Sequence, residues 1–203
     1  MKKLRISAVS YLNTKPFLYG LVNTAYHSRF EIELAHPAAC AEKLKNGDAD
    51  IALVPIALAK EMPGGKIISN YCIGTQGPVQ TVCLFSQVPI QEIKKVILDY
   101  QSKTSVALVQ LLMSNYWKKE VEWEEGTLGF EGQISKNTAG LVIGDRAIDL
   151  LEKYPYSYDL GEIWQAYTGL PFVFAAWMTH KDIDEEQLGI FNQALQMGIE
   201  HID

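Results

Sequence analysis

Ala49-Asp50-Ile51-Ala52-Leu53-Val54-Pro55 is the stretch on which the fold turns. Ile51 to Val54 is an apolar run of strand length, and Pro55 lacks the N–H that a central ladder needs. Just upstream, Pro37 to Lys45 reads as a helix. Proline is tolerated in its first turn, and Asn46-Gly47 closes it with a left-handed cap. Further back, Phe30 to Leu34 alternates as a strand and Leu4 to Val9 reads as a buried one. Between those two, Asn13-Thr14 can cap a helix that holds Pro16 in its first turn and carries Phe17, Leu18, Leu21 and Val22. Strands alternating with helices at these lengths predict a parallel sheet with helices on its faces, because parallel neighbours need crossover connections.

The second half repeats the pattern. Val79 to Phe85 is a long extended run and Val96 to Leu98 a short strand. Ser102-Lys103-Thr104-Ser105 then opens a helix with Val106, Val109, Leu112, Met113 and Trp117 at helical spacing. Trp123 to Lys136, with Gly126, Gly129 and Gly132, is polar and irregular. Thr138-Ala139-Gly140-Leu141-Val142-Ile143-Gly144 echoes the opening stretch and predicts a strand entering a helix over Asp145 to Leu151. Leu160 to Tyr167 reads as a helix, Phe172 to Met178 as a strand, and Asp184 to Ile199 as an amphipathic helix. The expected organisation is a first α/β lobe of residues 1–82 plus 173–203 and a second of 83–172. Hinge crossings are expected near 79–85 and 170–176.

At 203 residues, 48% hydrophobic and 21% charged, the chain has the balance of a folded globular protein rather than a disordered one. Its net charge of -6 argues against nucleic acid as a partner, since phosphate-backbone binding needs a basic surface. The longest apolar stretches, Ile51 to Ala59 and Leu170 to Met178, are nine residues each, too short for a membrane-spanning helix. The basic start Met1-Lys2-Lys3-Leu4-Arg5 runs into Ser7, Ser10, Asn13, Thr14 and Lys15, so no signal peptide is expected and a cytoplasmic location is. Cys40, Cys72 and Cys83 are odd in number and lack Cys-x-x-Cys spacing, which predicts buried reduced thiols.

Several chemistries lack their signatures. The chain has no His-Glu-x-x-His, Gly-x-Ser-x-Gly, phosphate loop or Gly-x-Gly-x-x-Gly, and His27, His36, His180 and His201 have no ligand spacing, so no metal site is expected. What remains is a set of polar residues just beyond strand ends, where ligands of open α/β sheets collect. Ser102-x-Thr104-Ser105 can clamp an anion with hydroxyls and first-turn amides, or simply cap its helix. Ser10 and Asn13 follow the first strand, and Asn13 offers both a donor and an acceptor; a plain N-cap is the alternative. Gln76-Gly77-Pro78-Val79-Gln80-Thr81 and Ile143-Gly144-Asp145-Arg146 read either as turns or as parts of a cleft wall.

Together, Val9-Ser10-Tyr11-Leu12-Asn13-Thr14-Lys15-Pro16, Gly47 to Pro55, Gly77-Pro78-Val79-Gln80-Thr81-Val82 and Ser102 to Val106 resemble the menaquinone-biosynthesis family of periplasmic-binding-protein-like enzymes. Ile143-Gly144-Asp145, Asp159 to Trp164 and Thr168 to Ala175 extend the resemblance over nearly the whole chain. It implies an α/β, type-II periplasmic-binding-protein-like fold: two lobes with mainly parallel sheets flanked by helices, closing over a small carboxylate. The implied reaction belongs to the futalosine route: chorismate loses water to give 3-(1-carboxyvinyloxy)benzoate, with no cofactor.

The resemblance makes Asn13 and Thr81 the catalytic pair. Ser10, Pro55, Ser102, Thr104, Ser105, Gly144 and Asp145 are the substrate-binding residues it implies. A sister enzyme, the dihydroxynaphthoate synthase, carries a catalytic His where this chain has Gly144-Asp145, so the dehydrating branch is favoured. A non-catalytic carboxylate-binding protein of the same fold is the other alternative. Family members usually continue past the position of Asp203 with more helix, so the chain is expected to be either truncated or a short natural form.

Overall fold

A computed structural model describes residues 3–202. In chain order the elements are β1 (Leu4–Val9), α1 (Lys15–Asn23), β2 (Phe30–Ala35), α2 (Pro37–Asn46), β3 (Ile51–Pro55), α3 (Ile56–Ala59), β4 (Lys66–Thr75) and β5 (Val82–Ser86). There follow β6 (Lys95–Leu98), α4 (Lys103–Asn115), β7 (Glu122–Glu125), β8 (Thr138–Ile143), α5 (Asp145–Ile148), β9 (Tyr156–Asp159), α6 (Leu160–Thr168), β10 (Phe172–Thr179) and α7 (Glu185–Ile199). The chain divides into two compact units, Met1–Ile73 with Val173–Asp203 and Gly74–Phe172. Residues 74–82, expected in the first lobe, therefore lie in the second. The expected crossing at 79–85 instead leads into β5 inside the second unit's sheet.

Each unit is built on one five-stranded sheet, β2-β1-β3-β10-β4 in the first and β7-β6-β8-β5-β9 in the second. The two orders are the same once each unit's strands are renumbered from its own parallel set. β3 and β8, the strands whose sequences echo each other, hold the same place in both. The sheets are mixed rather than mainly parallel. β1 pairs in parallel with β2 and β3, and β6 with β7 and β8, whereas β10 runs antiparallel to β3 and β5 antiparallel to both β8 and β9. Among the described residues no helix is long and apolar enough to cross a membrane.

In the first unit, Trp177 of β10 is fully buried and meets Phe17 of α1 and Phe191 of α7 edge-on, at centroid distances of 5.8 and 5.3 Å. Such edge-to-face pairs add to the stabilisation that area burial alone supplies. His36 caps α2 by accepting the Ala39 N–H at 3.3 Å, and Gly47 ends that helix at φ +76°, a left-handed position that favours glycine. The second core gathers Phe85, Ile97, Phe130, Ile134 and Val142. Cys40 and Cys83 are buried and free as expected, but Cys72 is exposed, because it lies on an outward position of β4. Burial, with the charge of Asp159 second, pushes the Cys83 thiol up to about 12, so it stays protonated.

The edge of the first sheet where β3 begins is tied by Asp50. Its carboxylate accepts Arg5 N–H at 3.0 Å, Arg5 Nη2 at 2.9 Å and Lys181 Nζ. Burial pushes this carboxyl up, but the bonds from Arg5 and Lys181 outweigh it and hold the group well below the usual carboxylate range. Asp50→Asn is expected to lower stability by about 2 kcal/mol, because both cations are partly exposed and rehydrate when the charge is gone. The folded pKa lies below the unfolded one, so the stabilisation is complete above the unfolded value of roughly 4 and fades as pH falls through and below it. Urea unfolding should show the gap between parent and variant at pH 7 and a smaller gap at pH 3.

Candidate functional site

In the first unit the parallel strands β1 and β3 deliver Ser10 and Pro55 to the same sheet edge. Ser10 is exposed, and its N–H donates to the Ala35 carbonyl at 3.1 Å, which fixes where the chain leaves β1. Leu12–Thr14 then forms one 3₁₀ turn before α1. Thr14, not Asn13, is the N-cap residue of α1, and it makes no side-chain capping bond. Asn13 is exposed; its Oδ1 accepts from Thr14 Oγ1 at 3.4 Å, and among the described residues its side-chain nitrogen has no acceptor. The capping alternative for Asn13 is thereby excluded, and its amide is left available. Pro55 is buried at the end of β3 with φ of −54°, opposite Ala175 of β10.

In the second unit the ends of β6, β8 and β9 and the start of β5 share one edge of the sheet. Ser102 is the N-cap of α4: its Oγ accepts the Ser105 N–H at 3.1 Å and donates to Ser105 Oγ at 2.9 Å. Ser102, Thr104 and Ser105 are all buried. Ser102 thus fills the capping role, and Thr104 and Ser105 bring two further hydroxyls to the positive end of a 13-residue helix. Gly144 donates its N–H to the Thr81 carbonyl at 2.8 Å, which joins two of the segments quoted above. Its φ of 70° with ψ of −158° is a backbone essentially restricted to glycine. Thr81 is half-buried, and its Oγ1 donates to the Val79 carbonyl at 3.4 Å. Asp145 is exposed, and the expected helix after it stops at Ile148 after about one turn.

Two carboxylates organise this edge. Asp99, buried at the end of β6, accepts the Gln101 N–H at 2.8 Å, the Ile143 N–H at 3.1 Å and Arg146 Nη2 at 2.6 Å. It therefore binds the approach to α4 and the approach to Gly144 to one group. Burial pushes its carboxyl up from the ordinary value, against the pull of those amides and of Arg146. Arg146 pairs with Asp99 and Glu131 and lies 5.3 Å from the Tyr100 ring centroid, so it turns to those groups rather than to its neighbour Asp145. Asp159 ends β9 and accepts four backbone amides, those of Val79, Gln80, Gly161 and Glu162. Sequence reading assigned no role to Asp99 or Asp159. The available signal was an acidic residue directly after an apolar strand, or directly before a helix.

A family model described as menaquinone biosynthesis matches residues 4–203. The chain is 29% identical over 172 residues to the chorismate dehydratase of Thermus thermophilus, an overlap of 75% of this chain and 62% of that protein. It thus spans less than two thirds of the length of this curated relative. Among solved structures, a protein from Archaeoglobus fulgidus superposes with a TM-score of 0.75 at 15% identity, over 98% of this chain and 75% of that one. A Candida albicans gene product, described as having the generic periplasmic binding protein structural fold, gives 0.59 at 10% identity, over 99% and 72% of the two chains. Those likenesses carry the fold, and the family match over almost every residue carries the lineage: the chain belongs to the menaquinone-biosynthesis family.

Proposed function

We propose that this chain removes water from chorismate to give 3-(1-carboxyvinyloxy)benzoate. The observation that carries the reading is the family match over residues 4–203 together with a relative named chorismate dehydratase. In this elimination the C3–H bond and the C4–O bond of the ring break and the ring becomes aromatic. The proton and the hydroxide leave together as water. Aromatisation supplies the driving force, so the protein has to orient the ring, hold its carboxylates and assist one departing hydroxyl.

The start of α4 suits a substrate carboxylate, because its first-turn amides and the Thr104 and Ser105 side chains lie at the positive end of the helix and no acidic residue sits in that turn. Asn13 and Thr81 orient the ring and the leaving hydroxyl. The substrate's own enolpyruvyl carboxylate takes the C3 proton. Asp99 is held by two amides and the Arg146 guanidinium and Asp159 by four amides, which argues against either as a free base. Asp145 is the protein alternative, disfavoured because a further carboxylate beside a dianion is repulsive. In the first unit Ser10 and Pro55 shape the backbone at the sheet edge beside Asn13, and in the second Ser102 and Gly144 do so beside Ser105 and Thr81.

Chorismate titration and turnover on the same sample test this reading. Thr104→Val with Ser105→Ala is expected to raise KM about tenfold or more while changing kcat much less, since the carboxylate persists from substrate through product. Chorismate binding by the parent chain without any turnover would return the non-catalytic reading of the fold.

A further inference from the structure

We infer that Asp159 is a positioning residue for the segment Gly77–Thr81, holding it in a conformation the chain does not adopt unaided and so fixing Thr81. This rests on the proposed role of Thr81 in chorismate dehydration. Asp159 divides its two oxygens between two tasks. Oδ1 accepts the Gly161 and Glu162 amides at 2.9 and 3.1 Å and so caps α6. Oδ2 accepts the Val79 and Gln80 amides at 2.9 and 2.6 Å, 80 and 79 residues away in sequence. A cap needs only the first pair.

The held segment is strained. Gln80 has φ +60°, a left-handed backbone that a residue with a Cβ enters against steric resistance. Lys118 and Lys136 share that sign of φ, but among the described residues no carboxylate holds their amides. The surroundings are shaped around the segment. Thr75 Oγ1 donates to the Gly77 and Pro78 carbonyls at 2.9 and 3.1 Å. A Cβ on Gly161 would fall 2.7 Å from the Gly77 carbonyl oxygen. The turn ends by passing the chain into Thr81, whose carbonyl receives Gly144 and whose hydroxyl returns to Val79. The Cys83 thiol donates to the Gln80 carbonyl at 3.5 Å. A relaxed Gln80 would displace Thr81 directly, since the two are adjacent, and a shift of about 1 Å at a reacting site is enough for a 100-fold loss.

The test uses the different acceptor counts of Asp and Asn. Asp159→Asn retains one acceptor oxygen, serving the cap or the segment but not both, and Asn is as good a cap as Asp. Amide exchange at Val79 and Gln80 is expected to accelerate about tenfold or more, with Gly161 and Glu162 still protected. The value of kcat for chorismate is expected to fall by a factor of roughly 10 to 100 with KM moving less. Adding Gln80→Gly, which takes φ +60° freely, should recover most of that loss, whereas a capping role would not respond. Gln80→Pro, which leaves Asp159 and the α6 cap in place but forbids the positive φ and removes the N–H, should reproduce the loss. Unchanged kcat in Asp159→Asn with the two amides released, or an equal loss with and without Gln80→Gly, would overturn the inference. A parent chain inert toward chorismate would fail the proposed function alone. In that event Val79 and Gln80 remaining protected in Asp159→Asn while Gly161 and Glu162 also stay protected would still overturn the positioning role, and release of either pair would uphold it.

Discussion

Asn13→Ala is expected to reduce chorismate turnover by a factor of about 100 or more while leaving the melting temperature within a degree or two of the parent's. The side chain lies outside the helix cap and, among the described residues, takes part in one hydrogen bond, from Thr14 Oγ1 at 3.4 Å, so its removal takes away little that stabilises the fold. Replacing a true capping Asn would instead cost about 1 kcal/mol and need not touch the chemical step. An orienting amide has the opposite signature: a barrier raised by a few kcal/mol on an unperturbed scaffold. Melting curves and steady-state kinetics on one preparation separate the two, and lower melting with unchanged turnover would remove Asn13 from the chemistry.

Gly20→Ala is expected to destabilise the first unit by about 4 kcal/mol or more, the largest structural effect of any single methyl group here. A Cβ at Gly20 would sit 1.8 Å from the Ala194 carbonyl oxygen, and one at Gly198 1.9 Å from the Pro16 carbonyl oxygen. Backbone meets backbone where α1 crosses α7, so no side chain can swing aside to relieve the clash. The consequence reaches the site, because α1 begins directly after the Leu12–Thr14 turn that carries Asn13. Urea unfolding followed by far-ultraviolet circular dichroism measures the loss. A Gly20→Ala protein as stable as the parent would mean that the two helices do not cross as closely as described.

The strands that the sequence marks as apolar runs are the central ones, while the edge strand β2 is read from its alternation. β1, β3, β8 and β10 announce themselves as apolar runs because both faces are covered, and their positions in the two sheets follow. β7, β9 and β4 are edge strands that offer neither an apolar run nor a clean alternation. Glu122–Glu125 is mostly acidic, Tyr156–Asp159 is short and polar at alternate positions, and Lys66–Thr75 is broken by Ser69, Asn70 and Gly74. Each faces water on at least one side, where charge protects an edge and no apolar run is needed. β5 starts at Val82 rather than Val79, since the Val79 and Gln80 amides donate to Asp159, far along the chain, and Gln80 has positive φ.

The candidate site divides along similar lines. Ser102 was legible as a cap, and the cap forms; Asn13 was equally legible as a cap, and it is not one. Local spacing cannot tell these apart, since the difference lies in which residue the 3₁₀ turn places at the helix start. Asp99 and Asp159 act through amides 44 and 80 residues away, as with Ile143 and Val79, and no local pattern encodes such pairings.

Dehydration of chorismate by this chain is tested by incubating the purified, folded protein with chorismate and resolving the products by mass. Steady appearance of 3-(1-carboxyvinyloxy)benzoate, one water lighter than its precursor and in proportion to enzyme, is expected. Chorismate recovered unchanged, or consumed only at the rate and to the products seen without protein, would contradict it.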